Sequence, residues 1–266
     1  MRQVSQVLPG SLGSSVLMGA LLGAMWLPPG SAQAQQAQAG AQASPSATAV
    51  VTVVQVPSPW YAPRFVIASK MRSTIAQYQQ INGLAFKTYS FARDSGDFGG
   101  IYFWQDKAAA QAWFTPEWFA RVQKERGSAG NVRYFEAPVS IDNTPGGTPA
   151  NAHSQGVATL VEIDTPAGIS RERLIQEFKQ AVPVYQKIPG LLRKHFTLSD
   201  TGTFGGIYLW KDEASAQAWF NEAWHARVRS QYGQHAKIQW FDTPILSPST
   251  HASNVAPDAA LTLVKQ

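Results

Sequence analysis

Apolar and polar positions alternate along this chain in an order that occurs twice. Val50 to Val56 and Val157 to Ile163 are β-branched runs of strand length. A helical period follows, clearest where Ser170 precedes Leu174, Ile175, Phe178 and Val182, so Ser170 is expected to cap that helix and Pro183 to kink or divide it. Gly83 and Gly190 mark the stops. Leu84 to Phe91 with Phe98 to Trp104, and Leu191 to Leu198 with Phe204 to Trp210, read as hairpins. Asp106 and Asp212 then cap helices whose Ala and Trp positions share a face, and a further helical turn begins at Thr115-Pro116 and at Asn221. Val132 to Glu136 and Ile238 to Asp242 complete each set, closed by Pro138 and Pro244.

The order is strand, helix, strand, strand, helix, strand, which predicts an α+β fold of two tandem ferredoxin-like units. The third strand is apolar on both sides, with Ile101 and Phe103 pointing one way and Tyr102 and Trp104 the other. A helix layer covers one face, and the other needs a second sheet. Two units on one chain supply that cover for each other, forming an intramolecular dimeric α/β barrel. One copy alone is then expected to be unstable or to dimerise.

The copies are literal repeats. Across Asp97 to Pro138 and Thr203 to Pro244, roughly half of about forty aligned positions are identical without a gap. The first unit is assigned to 50–141, the second to 157–246, and the polar stretch 142–156 to a linker. Residues 1–34 have the pattern of a signal peptide: Arg2, an apolar run from Leu12 to Leu27, the break Pro28-Pro29-Gly30 and cleavage after Ala34. The competing reading is an uncleaved membrane anchor. Residues 35–49 read as a disordered tether and 247–266 as a polar tail, with Leu261 to Val264 a strand or nothing. The expected address is periplasmic or secreted, with no stable membrane insertion after cleavage.

Cysteine is absent, which excludes disulfides, thiolate ligands and cysteine nucleophiles. A formal charge of +5 without a Lys/Arg cluster argues against nucleic acid as a partner. No nucleophile elbow, phosphate loop, dinucleotide fingerprint or zinc spacing is present, and the Phe-Gly-Gly glycines precede a strand, where they serve a turn or bulge.

Gly205 to Glu213 (Gly-Gly-Ile-Tyr-Leu-Trp-Lys-Asp-Glu), Ala216, Ala218 and Ala226-Arg227-Val228 resemble the YdhR mono-oxygenase family of the dimeric α/β barrel superfamily. Pro189-Gly190-Leu191-Leu192-Arg193-Lys194 also fits that family's Pro-Gly-x-x-x-Lys stretch, while the first copy keeps Gly83 and Lys87 with Asn82 in place of proline. The resemblance covers both units. It implies oxygen insertion without a cofactor into a small aromatic or apolar substrate held between helices and sheet. A non-catalytic small-ligand or haem-binding protein of the same fold is the alternative.

Several residues are candidates for such chemistry. Lys87 and Lys194 recur on the second strand, either facing a pocket or sitting at a strand edge with the ammonium in water. Tyr102/Tyr208 and Trp104/Trp210 share a strand face and could stack on a planar substrate, or pack the core. Trp219 and Arg227, with first-copy counterparts Trp113 and Arg121, could line a site or serve packing and ion pairing. His195 belongs to the second copy alone and is the candidate general base or haem ligand, against a hydrogen-bonded structural role. Alternation places it on the face opposite Lys194. Catalysis is thus assigned to His195, Lys194 and Tyr208, and substrate contact to Trp210, Tyr102, Trp104, Lys87, Trp219 and Arg227, with no metal.

Overall fold

A computed structural model describes residues 48–144 and 156–248. The stretches assigned above to a signal peptide, a tether, a linker and a tail lie wholly or mostly outside the described residues.

The first unit runs β1 (Val50–Val56), α1 (Arg64–Ser73), α2 (Ile75–Gln79), β2 (Leu84–Ala92), β3 (Phe98–Trp104), α3 (Lys107–Trp113), α4 (Pro116–Arg126) and β4 (Asn131–Asp142). The second runs β5 (Gly156–Asp164), α5 (Arg171–Tyr185), β6 (Leu191–Ser199), β7 (Thr203–Trp210), α6 (Glu213–Trp219), α7 (Glu222–Tyr232) and β8 (Lys237–Pro248). All strands pair antiparallel and close into one barrel in the order β1-β3-β2-β8-β5-β7-β6-β4. Each unit contributes four adjacent strands, and the seams are β2 with β8 and β4 with β6.

The predicted caps form. Side chains of Asp106, Asp212, Thr115, Asn221 and Ser170 each accept a hydrogen bond from the backbone N–H three residues on. Pro183 does not divide its helix. It sits in the last turn of α5, where too little helix follows for a second segment to be split off. The division falls instead in the first unit, at Thr74, whose hydroxyl bonds back to the Met71 carbonyl and to the Tyr89 hydroxyl, 2.7 Å each.

The fourth strands do not end at Pro138 and Pro244. Both run on for several residues, and each proline lies at a register shift in the pairing with the other unit, just past the last residues paired within its own unit. Proline is tolerated there because a bulge leaves an N–H without a ladder partner. Beyond the bulge, Val139 and Ile141 pack into the second unit's helix-facing core, and Ile245 into the first unit's. The interior carries a third apolar cluster that includes Val51, Ile101, Phe103, Leu160, Ile207 and Phe241. The two faces of the repeated Ile-Tyr-x-Trp strand are thereby both buried, as its pattern requires.

Ion pairs repeat across the seams. Arg64 pairs with Asp242 at 2.9 Å and its counterpart Arg171 with Glu136 at 2.7 Å, each joining one unit's first helix to the other's fourth strand. They are half exposed, so they set register more than they add stability, at about 0–1 kcal/mol each.

Candidate active site between helices and barrel

The repeated Phe-Gly-Gly has a use at each glycine. A side chain at Gly99 or Gly205 would run into the carbonyl of Val54 or Val161 on the neighbouring strand. A Cβ at Gly100 would lie 2.7 Å from Cε of Lys87, and one at Gly206 3.0 Å from Cε of Lys194. The second glycine therefore opens the floor over which each lysine stem passes to reach the helix side.

Neither lysine has its head in water. Lys87 is 0% exposed and Lys194 2%. The Nζ of Lys194 lies 3.2 Å from the ring centre of Tyr185, 3.8 Å from Phe196 and 4.4 Å from Tyr208, and it donates a hydrogen bond to the Tyr208 hydroxyl at 2.9 Å. Lys87 occupies the same setting, 3.4 Å from Tyr78, 4.0 Å from Tyr89 and 4.3 Å from Tyr102. Among the described residues no carboxylate pairs with Lys194. Aromatic faces return about 0.5–2 kcal/mol each to a cation, whereas stripping an ammonium of water costs several kcal/mol even after relaxation. Burial wins, and holds both amines well below the usual lysine range. The same desolvation, with Tyr185 nearby, holds the Tyr208 phenol well above its usual value, so amine and phenol are both uncharged.

Lys194 forms part of the wall of a cavity of about 830 Å³ between α5, α6, α7 and the β5–β7 face. Tyr185, Tyr208, Phe178 and Trp219 line its inner part, with Arg227 exposed at its rim. The indole N–H of Trp219 is buried with no hydrogen-bond partner among the described residues. Trp113 in the first unit repeats this, and each indole stands beside its unit's helical tyrosine, 5.5 Å from Tyr185 and 5.6 Å from Tyr78. A buried donor left open twice at equivalent places suits a ligand oxygen.

Lys194, Tyr208, Trp219 and Arg227 thus come together, and Lys87 and Tyr102 form the equivalent cluster in the first unit. Trp104 and Trp210 do not join either site. Each is fully buried, stacked on its strand neighbour Tyr102 or Tyr208, with its indole N–H donated to Thr52 or Thr159 at 2.9 and 3.1 Å. They are core residues. Tyr78 and Tyr185 are missing from the sequence-based set, although the copies align there without a gap.

His195 is also elsewhere. It lies inside the barrel at the β4–β6 seam, on the face opposite Lys194, with Nδ1 2.8 Å from the Ser140 hydroxyl and its ring 4.4 Å from that of Phe103. Burial, with Arg193 adding to it, lowers its pKa to about 3. Its Nε2 is enclosed and faces neither cavity described among these residues. A haem hung on His195 does not fit this setting, and the ring cannot reach a proton in the Lys194 cavity.

Residues 160–253 match the family model described as "Putative mono-oxygenase ydhR". That match takes in the second unit, about a third of the chain. The YdhR model begins inside β5 and extends past β8, so it spans every element that lines the cavity. Among solved structures the chain is similar to a "putative monooxygenase" from Fusobacterium nucleatum, at 11% identity over 76% of this chain and 95% of that one, with a TM-score of 0.53. A second, from Lactobacillus acidophilus, matches at 10% identity over 76% and 96%, with a TM-score of 0.50. At such identities the likeness is one of fold. A haem-degrading enzyme from Listeria monocytogenes (11% identity, 74% and 100% covered, TM-score 0.40) is too distant to bear on cofactor chemistry here. No curated protein matches the chain.

Proposed function

We propose that the YdhR-type unit is a cofactor-independent mono-oxygenase that oxidises a small aromatic molecule bearing an acidic hydroxyl or activated methylene. The observation that carries this reading is the amine of Lys194, buried against three aromatic rings at the wall of an aromatic cavity, with no carboxylate partner among the described residues. An amine kept neutral by burial is a competent general base near neutral pH. Tyr185 and Tyr208 present ring faces to a planar substrate, the open indole N–H of Trp219 suits the developing oxyanion, and Arg227 at the rim attracts an acidic ligand. Lys194 takes the proton, and the electron-rich anion reduces dioxygen. For an activated methylene the balance is R2CH2 + O2 → R2C=O + H2O, with one oxygen atom in the product and the other in water. The leader pattern supports the further reading that the protein acts outside the cytoplasm.

The test is oxygen uptake with a panel of aryl hydroquinones and aryl ketones carrying an acidic methylene, using 18O2 and product mass. Incorporation of one labelled oxygen, with kcat lowered about 10²-fold or more in Lys194→Met, is expected. Uptake no faster than in the absence of protein, or unchanged in Lys194→Met, overturns the reading. Ligand-dependent thermal stabilisation without turnover would instead mark a binding protein.

A further inference from the structure

The geometry points to Lys194 as an imine-forming residue, so that the cavity of the second unit captures small aromatic aldehydes covalently. The inference shares the cavity with the oxygenase reading and uses none of its oxygen chemistry.

Three placements carry it. Lys194 lines the cavity, and Tyr185, Phe196 and Tyr208 hold its Nζ at ring distances of 3.2 to 4.4 Å, which restricts the amine to one small region. It enters no ion pair among the described residues; the carboxylate lining the same cavity, Glu177, is engaged by Arg173 at 3.0 Å. Its hydrogen-bond partner, the Tyr208 hydroxyl at 2.9 Å, is an uncharged phenol able to give and take a proton at the reacting carbon. A nucleophilic amine, an adjacent proton carrier and an aromatic enclosure are what carbonyl addition by lysine needs.

The step balances without any further reagent. The Nζ lone pair forms a bond to the carbonyl carbon, and the carbonyl π electrons move to oxygen, which takes a proton from Tyr208. The nitrogen gives up a proton that restores the phenol, leaving a carbinolamine. Loss of that hydroxyl with a second amine proton releases water as the C=N bond forms, so the sum is R–CHO + Lys–NH2 → R–CH=N–Lys + H2O. The substrate class is an aryl aldehyde small enough for about 830 Å³.

The experiment uses the full-length chain with 2-naphthaldehyde and cyanoborohydride at pH 7 under argon, read by intact mass and peptide mapping. Labelling of the Lys194 peptide ahead of every exposed lysine is expected, because an ordinary amine is neutral in only about 1 part in 10³ at that pH. Lys194→Arg should lose the label. Tyr208→Phe, which keeps the lysine and the ring, should slow it without moving it. Labelling spread over surface lysines with the Lys194 peptide unmodified overturns the inference, as does labelling unchanged in Lys194→Arg. Exclusion of oxygen separates the two readings, since trapping can succeed where oxygen uptake fails, and the reverse.

Discussion

Replacing Lys194 by methionine should flatten the dependence of stability on pH in mildly alkaline solution. The folded-state pKa of Lys194 is held well below the ordinary value by burial, and Lys87 likewise. In the unfolded chain each lysine titrates near 10.4. Between those two values the unfolded chain binds one proton more per lysine, so the free energy of unfolding rises with pH by about 1.4 kcal/mol per unit for each. The cost is absent above the unfolded value and grows as pH falls. With both lysines the slope is about 2.7 kcal/mol per unit, and Lys194→Met should halve it. Tyr102, Tyr185 and Tyr208, all raised by burial, act in the opposite sense above their ordinary value, so the useful window lies between about pH 7.5 and 9.5. Methionine nearly matches the lysine stem in volume. At pH 8 the variant gains at most about 3 kcal/mol, the work of deprotonating an ordinary lysine there, less about 1 kcal/mol for the hydrogen bond lost to Tyr208. Urea unfolding across that window reads the slope directly. A slope unchanged by the substitution would refute the uncharged lysine, and with it the base and nucleophile roles.

Two further outcomes are expected. With its pKa lowered to about 3, the His195 imidazole should show no titration by NMR from about pH 8 down to about pH 5; an inflection near the ordinary histidine value of about 6.5 would mean that the ring is solvated. Gly205→Ala should cost about 3 kcal/mol or more, since its Cβ meets the Val161 carbonyl and β5 and β7 must part to admit it. Thermal unfolding measures this, and a wild-type Tm would show that the strands are not in close contact there.

The repeat, the strand and helix order, the caps and the two-faced burial of the Ile-Tyr-x-Trp strand are all legible in the sequence, because each rests on local spacing or on a period of two or 3.6 residues. Matching the copies position by position also reaches Lys87/Lys194 and would have reached Tyr78/Tyr185, which align at the same offset. Tertiary packing decided the rest. An alternation pattern says that Lys194 and His195 face opposite ways, yet only barrel closure makes one face a cavity wall and the other a sealed interior. Spacing could not show that the tryptophans of the repeated strand satisfy their indoles on Thr52 and Thr159, while Trp113 and Trp219 leave theirs open. Nor could it show that β4 and β8 run on past their prolines, since a proline reads as a stop until a partner strand lies beyond it. Whether a lysine is a solvated edge or a buried base depends on what surrounds its nitrogen, here rings from α5, β6 and β7. That arrangement exists only once α5, β6 and β7 have been brought together, because desolvation is a property of the packed environment and not of the residue.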